Sequence, residues 1–230
     1  MPHRYTELLL QSPLFRGLTG EQLAAFLDAT HPSLRNYSKN SFIAISGEPM
    51  EGIGVLIDGQ ARLTRENVAG QRSIVTDLTA PQMFGEVLLF TDNPLWPATV
   101  ESVTATKVIF LPPSAFTDLV PGCEPYQTQL LINLLHDLSE KAFALTRKVH
   151  YLTLKGMREK IFAYVIDIHK RQKQNPITIP HNRQEMADVL NVSRTALSRE
   201  LGRLADERIL YAAGRSVTIY DFDAIRDYEF

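Results

Sequence analysis

The spacing of hydrophobic residues changes character along this 230-residue chain. Over residues 4–30 it is helical. Glu7 to Leu10 and Glu21 to Ala29 read as short helices, separated by Pro13, Gly17 and Gly20. From Leu34 to Leu111 the apolar runs shorten. Ser41–Ile45, Ile53–Ile57, Ala61–Thr64, Ser73–Leu78, Thr99–Ser102 and Lys107–Leu111 read as strands. They are punctuated at Gly47, Gly52, Gly54, Gly59, Gly70, Pro81, Gly85, Pro94 and Pro97. Many short strands at near-even spacing predict a sandwich, roll or barrel.

After Pro125 the pattern lengthens. Leu131, Leu138, Leu145 and Leu152 recur every seven residues, and Leu135, Ala142 and Val149 interleave with them. No Gly or Pro interrupts residues 126–155. This is an a/d stripe over about three heptads, which predicts a long helix pairing with a second copy as a parallel coiled coil. The same stripe could instead lie on the chain's own roll, and the two readings are compatible. Ala142 is small enough to let helices approach or to leave room for a ligand. Thr153 to Gly156 reads as a hinge. Met157, Ile161, Tyr164, Val165 and Ile168 stripe one face of a further helix, and Lys170–Pro180 reads as a basic, proline-bounded loop.

Residues 182–204 read as a helix-turn-helix. Asn182 can cap a first helix, with Glu185 three residues on as a capping box requires. Met186, Ala187 and Leu190 form its buried face, Ala187 being small where two helices cross. Asn191 suits the corner because it tolerates a left-handed backbone, and Val192 plugs the turn. Ser193 caps a second helix, with Leu197, Leu201 and Leu204 as its inner stripe. The outer face offers Arg194, Thr195, Ser198, Arg199 and Arg203. Arg pairs bidentately with guanine in the major groove, and Ser or Thr contacts bases or phosphates. Ile209–Ala212 and Ser216–Tyr220, joined around Gly214–Arg215, read as a β-hairpin wing. Arg194 and Arg199 are expected to read bases. Asn182, Arg183, Gln184, Ser193 and Arg215 complete the expected contacts, mainly to phosphates.

Overall charge at first argues against nucleic acid, because the formal net charge is −2. Its distribution reverses that. Thr153 to Tyr220 holds 12 Lys/Arg against 7 Asp/Glu, whereas residues 1–152 hold 11 against 15. The excess of positive charge coincides with the helix-turn-helix, where phosphate binding would use it. Cys123 is the only cysteine, so an internal disulfide and a cysteine-held iron–sulfur cluster are excluded within one chain. No apolar run is long enough to span a bilayer and the first residues lack a signal-peptide core, so a cytoplasmic location away from membranes is expected.

The order of β-roll, long helix, hinge and winged helix-turn-helix resembles the CRP/FNR family of bacterial transcription regulators. Four motifs carry the resemblance: Ser46-Gly47-Glu48, Leu56-Ile57-Asp58-Gly59, Phe84-Gly85-Glu86-Val87-Leu88-Leu89-Phe90, and the helix-turn-helix. It implies an α+β chain with a double-stranded β-helix (jelly-roll) sensor domain over 1–124, similar to cyclic-nucleotide-binding domains. A dimerisation helix over 125–153 and a winged helix-turn-helix over 154–230 would follow. The implied function is transcription regulation by a homodimer on a palindromic DNA site, with RNA polymerase as a further partner.

Departures from the family pattern restrict the effector. Cyclic-AMP-binding members carry Arg-Ser-Ala or Arg-Thr-Ala after Phe-Gly-Glu, the Arg pairing with the cyclic phosphate and the Glu accepting from the ribose hydroxyl. Here Trp96-Pro97-Ala98 stands in that place. Trp cannot neutralise a phosphate, and Pro97 has no N–H to donate. Ala142-Phe143 likewise stands where the adenine-contacting hydroxyl pair would align. Cyclic AMP is therefore not the expected effector, and Glu86 is expected to brace backbone amides. An unidentified small molecule, in a pocket formed by Phe84, Gly85, Glu86, Leu89, Trp96, Ala98, Ala142 and Phe143, is one expectation, and an architectural DNA-binding dimer that senses nothing is another. Haem remains open, with His136, His150 and His3 as weak axial ligands. At the recognition helix, Arg194-Thr195-Ala196 replaces the family's Glu-bearing triplet, so the half-site should differ from the usual one. A cupin-like metal enzyme would need His and carboxylate ligands inside the roll, where only His31 lies nearby. No metal site and no catalytic residues are expected.

Overall fold

The β-rich part of the chain folds as two facing four-stranded antiparallel sheets. The structure, a computed structural model, describes residues 5–66, 72–118 and 124–228. His3, Gly70 and Cys123 lie outside the described residues. The chain divides into two units, Met1–Glu140 and Lys141–Phe230.

In the first unit, α1 (Thr6–Leu9), a 3₁₀ turn (Pro13–Phe15) and α2 (Gly20–Thr30) precede the sheets. Thr19 opens α2 through a capping box, its side chain accepting from the Gln22 N–H while the Gln22 side chain accepts from the Thr19 N–H. The strands are β1 (Ser33–Tyr37), β2 (Phe42–Ala44), β3 (Ile53–Asp58), β4 (Gln60–Glu66), β5 (Arg72–Thr79), β6 (Met83–Phe84), β7 (Thr99–Ser102) and β8 (Thr106–Leu111). One sheet runs β1-β8-β3-β6 and the other β2-β7-β4-β5. Strand β3, an inner strand between β8 and β6, is buried from Ile53 to Ile57. Gly54 belongs in it because the Phe84 ring lies on the backbone there, and an added Cβ would stand 2.2 Å from Phe84 Cζ. Strands β1 and β6 escape the apolar pattern. The first is mostly polar and exposed, and the second has two residues.

Helix α3 (Ser114–Thr117) leads to α4 (Glu124–Thr153). The first half of α4 is fixed to the roll. Leu130 and Leu134 are fully buried in the roll core, and Leu131 and Leu138 pack partly against it. Asn133 Nδ2 donates to the carbonyls of Leu14 (2.9 Å) and Arg16 (2.7 Å), and Gln127 Nε2 donates to the carbonyls of Ala115 (3.1 Å) and Asp118 (2.6 Å). The heptad stripe is therefore divided. Leu131 and Leu138, expected at a dimer seam, lean on their own roll, while Leu135, Leu145, Val149 and Leu152 remain exposed with Ile132 beside them. A helix with about 3.6 residues per turn carries two such faces, and a seven-residue repeat alone does not say which neighbour each one meets.

In the second unit, α5 (Met157–Gln172), β9 (Ile177–Thr178), α6 (Arg183–Leu190), α7 (Arg194–Asp206), β10 (Leu210–Ala213), β11 (Ser216–Ile219) and α8 (Asp223–Arg226) surround one core. Gly156 precedes α5, and its N–H donates to Glu159 Oε2 at 3.1 Å. The segment Lys170–Pro180, read as a loop, instead holds the last turn of α5 and strand β9. Lys173 ends the helix with φ 51°, and β9 pairs with β11 through Ile177 and Val217. Asn175 extends that edge with its side chain, accepting from the Ile219 N–H (2.9 Å) and donating to the Ile219 carbonyl (2.8 Å). A two-residue strand is too short to leave an alternating pattern, so only the folded partner reveals it.

Candidate nucleic-acid interface

Each predicted cap of the helix-turn-helix is made. Asn182 Oδ1 accepts from the N–H groups of Gln184 (2.9 Å) and Glu185 (3.0 Å), and Glu185 Oε2 accepts from the Asn182 N–H at 2.6 Å. Met186, Ala187 and Leu190 are buried. Asn191 turns the corner at φ 51°, and the Val192 N–H donates to the Ala187 carbonyl at 2.9 Å. Ser193 Oγ then accepts from the Ala196 N–H at 3.2 Å to start α7. Leu197, Leu201 and Leu204 face inward. Arg194, Thr195, Ser198 and Arg199 are consequently exposed together around the first turns of α7. Among the described residues, no carboxylate pairs with Arg194 or Arg199. Both cations therefore stand without an internal counter-charge, at a helix end whose partial positive charge also favours anions.

The other expected contacts are placed less uniformly. Gln184 is exposed and donates to Asp188 Oδ1 at 2.9 Å. Arg203 is exposed and lies 3.3 Å from Glu200 Oε2. Arg215 is exposed in the two-residue turn of the β10–β11 hairpin, beside Gly214. Arg183 turns partly inward, its Nη2 donating to the Ala212 carbonyl of the wing at 3.3 Å while its Nη1 is buried without an acceptor. Burial lowers its pKa from the ordinary arginine value. Arg183 thus ties the first helix to the wing, a role its position in the sequence did not suggest.

Arg158 also went unread. From α5 its Nε donates to Glu200 Oε1 at 2.9 Å, and its two terminal nitrogens each donate to a Glu207 oxygen at 2.7 Å. Lys160 Nζ donates to the Leu190 carbonyl at 3.1 Å. These bonds, with the shared apolar core, hold α6 and α7 against α5 as one body. Two carboxylates seven residues apart, Glu200 on α7 and Glu207 just past its end, were the available signal.

In the first unit, Phe84, Leu89 and Trp96 belong to the roll core, with Glu86 and Ala98 buried beside them in the sequence. The Phe84 and Trp96 rings are in contact, with centroids 5.8 Å apart, and Phe84 meets Phe110 edge-on at 6.0 Å. Gly85 adopts φ 87°, and a side chain there would strike the indole at 2.7 Å. Of the side chains expected to line the pocket, Phe84 and Trp96 thus pack on each other. Ala142 and Phe143 fall in the other unit, both exposed, with the Arg147 guanidinium 4.9 Å from the Phe143 ring centre. His31 ends α2, His136 is exposed and His150 half-buried on α4.

Two family models match the chain: a cyclic nucleotide-binding domain over residues 34–121 and a Crp-like helix-turn-helix domain over residues 159–228. The chain belongs to the CRP/FNR family of transcription regulators. It is 26% identical over 229 residues to a probable transcriptional regulator, Flp, of Lacticaseibacillus casei, covering 99% of both chains. It is 23% identical over 195 residues to the cAMP-activated global transcriptional regulator CRP of Haemophilus influenzae, covering 83% of this chain and 85% of that one. The crystal structure of Thermus thermophilus catabolite activator protein shares the fold, at 23% identity and a TM-score of 0.50, over 94% of this chain and 97% of that one. Among the described residues, no helix is long and apolar enough to cross a membrane.

Proposed function

We propose that this regulator binds a palindromic DNA site as a homodimer and responds to a signal other than cyclic AMP. The observation that carries the reading is the exposed set Arg194, Thr195, Ser198 and Arg199 at the start of α7, opposite the buried Leu197, Leu201 and Leu204. The exposed face of α4, with Leu135, Leu145, Val149 and Leu152, supports the dimer, because a second copy would remove that apolar area from water. Trp96 in contact with Phe84 supports an effector other than a cyclic nucleotide, because an indole supplies no charge to a phosphate. A regulator bound upstream of a gene would then act through RNA polymerase.

Selection from random DNA tests the reading. The expected product is a palindrome whose half-sites lie about one helical turn apart. Enrichment of no palindrome would overturn the dimeric mechanism, and a switch in DNA binding on addition of cyclic AMP would overturn the effector assignment.

A further inference from the structure

A carboxylate within the second unit joins two helices. Asp167 lies on α5 with its side chain 13% exposed. Tyr151 Oη donates to its Oδ2 at 3.1 Å, Arg171 Nη2 donates to the same oxygen at 3.1 Å, and Arg147 Nη1 stands 3.8 Å away. Arg171 belongs to α5 itself, four residues on. Tyr151 and Arg147 belong to the last turns of α4, on the other side of the break before Gly156.

We infer that Asp167 is a positioning residue for DNA recognition: it fixes the angle at which the end of α4 holds α5, and thereby the half-site spacing that the dimer accepts. The inference rests on the dimeric reading proposed above. Three observations lead to it. First, among the described residues, Tyr151 is the only α4 side chain buried in the core of this unit, where its ring meets Tyr164 edge-on at 6.0 Å. A single apolar anchor resists separation but sets direction poorly, because hydrophobic contact is non-directional. Second, the Tyr151 and Arg171 hydrogen bonds to Asp167 are directional and involve a charged partner, and the two charges that face each other across the helices, Asp167 and Arg147, are largely withdrawn from water, with side chains 13% and 17% exposed. Burial, reinforced by the Asp167 charge, holds the Tyr151 hydroxyl well above the ordinary tyrosine range, so it stays a donor. Third, beyond Asp167 the path is stiff. Arg158 and Lys160 fasten α5 to α7 and to the end of α6. An angle set at Asp167 is therefore carried to Arg194 and Arg199 without slack.

None of these groups needs to touch DNA. Loss of the node should leave the half-site sequence unchanged and alter only which spacings are tolerated. A merely structural residue would change stability or overall affinity without that signature.

The experiment uses the full-length protein and a DNA library in which the wild-type half-sites are fixed and the spacer between them varies. Wild type is expected to enrich one spacing. Asp167→Asn, which keeps size and removes charge, is expected to lower the preference for that spacing over its neighbours about tenfold, the scale of losing one charged hydrogen bond. Tyr151→Phe keeps the buried ring and the carboxylate and removes only the donor. It should broaden the spacing in the same sense, and it decides the matter if Asp167→Asn unfolds early in a thermal melt. Variants that melt as wild type and keep its spacing preference undiminished would overturn the inference while leaving the dimer intact. A wild type that enriches single half-sites would overturn the dimeric reading and this inference with it.

Discussion

Trp96 lies against Phe84, the two rings 5.8 Å apart between centroids and tilted by 39°, and neither is more than 7% exposed. An arginine would occupy the Trp96 position in a cyclic-AMP-binding relative. An indole in core packing offers a cyclic phosphate no charge. Calorimetry with cyclic AMP is expected to show no micromolar binding, and DNA affinity should not change on its addition. Trp96→Ala should cost the first unit about 3–5 kcal/mol, read from chemical denaturation, because it leaves a cavity beside Phe84.

Arg199 and Arg194 differ from Arg183 in what they can reach. Arg199→Ala is expected to cost about 1–3 kcal/mol at the cognate site and to relax preference at one base pair in each half-site. Arg183→Ala should weaken cognate and random DNA alike, and should also lower the unfolding midpoint, since Arg183 bonds the wing at Ala212. Sequence selection and thermal melts on both variants separate the two. Unchanged consensus for Arg199→Ala with altered consensus for Arg183→Ala would reverse the assignment.

The division of the α4 stripe makes the seam testable without damage to the roll. Leu145→Lys with Val149→Lys places cations on the exposed face and should yield monomers in sedimentation with an unaltered melt of the first unit. Leu138→Lys acts on a side chain packed against the roll core, so it should lower that melt as well. A wild type that sediments as a monomer at micromolar concentration would contradict the dimer outright.

His181, one residue before the Asn182 cap, accepts or donates at Nδ1 to the Tyr164 hydroxyl at 2.7 Å. Burial pushes its imidazole below the ordinary value, the Arg215 and Arg171 charges act in the same direction, and Glu185 opposes them. A depressed folded value means that the unfolded chain takes the proton first. The contribution of His181 to stability is therefore complete above about pH 6.5 and is lost as pH falls toward the folded value. The difference in unfolding free energy between wild type and His181→Gln should shrink as pH is lowered from about 8 to about 5. A pH-independent difference would show that His181 does not titrate differently on folding.

Local chemistry was enough to read the helix-turn-helix. Asn182, Glu185, Asn191 and Ser193 act on backbone groups within a few residues of themselves, so their roles depend on sequence distance alone. The same holds for six of the eight strands of the first unit, whose alternation or apolar runs are properties of the strand itself. The family resemblance rested on motifs of that local kind, together with their order along the chain.

Partners distant in sequence were settled only by the tertiary structure. Periodicity marked Leu131, Leu138, Leu145 and Leu152 as equivalent, yet the fold sends the first two toward the roll and leaves the last two exposed. Phe84 and Trp96, read as the walls of a pocket, prove to be each other's neighbours. Arg158 meets Glu200 and Glu207 across more than forty residues of chain, and Asp167 meets Tyr151 across sixteen. The amino-acid sequence by itself determined which segments are helix or strand and which residues can cap, pair or read a base. Which apolar face meets which neighbour, and which charge meets which, depended on chain segments being brought together by burial, an interaction that has strength but no direction until the whole fold is in place.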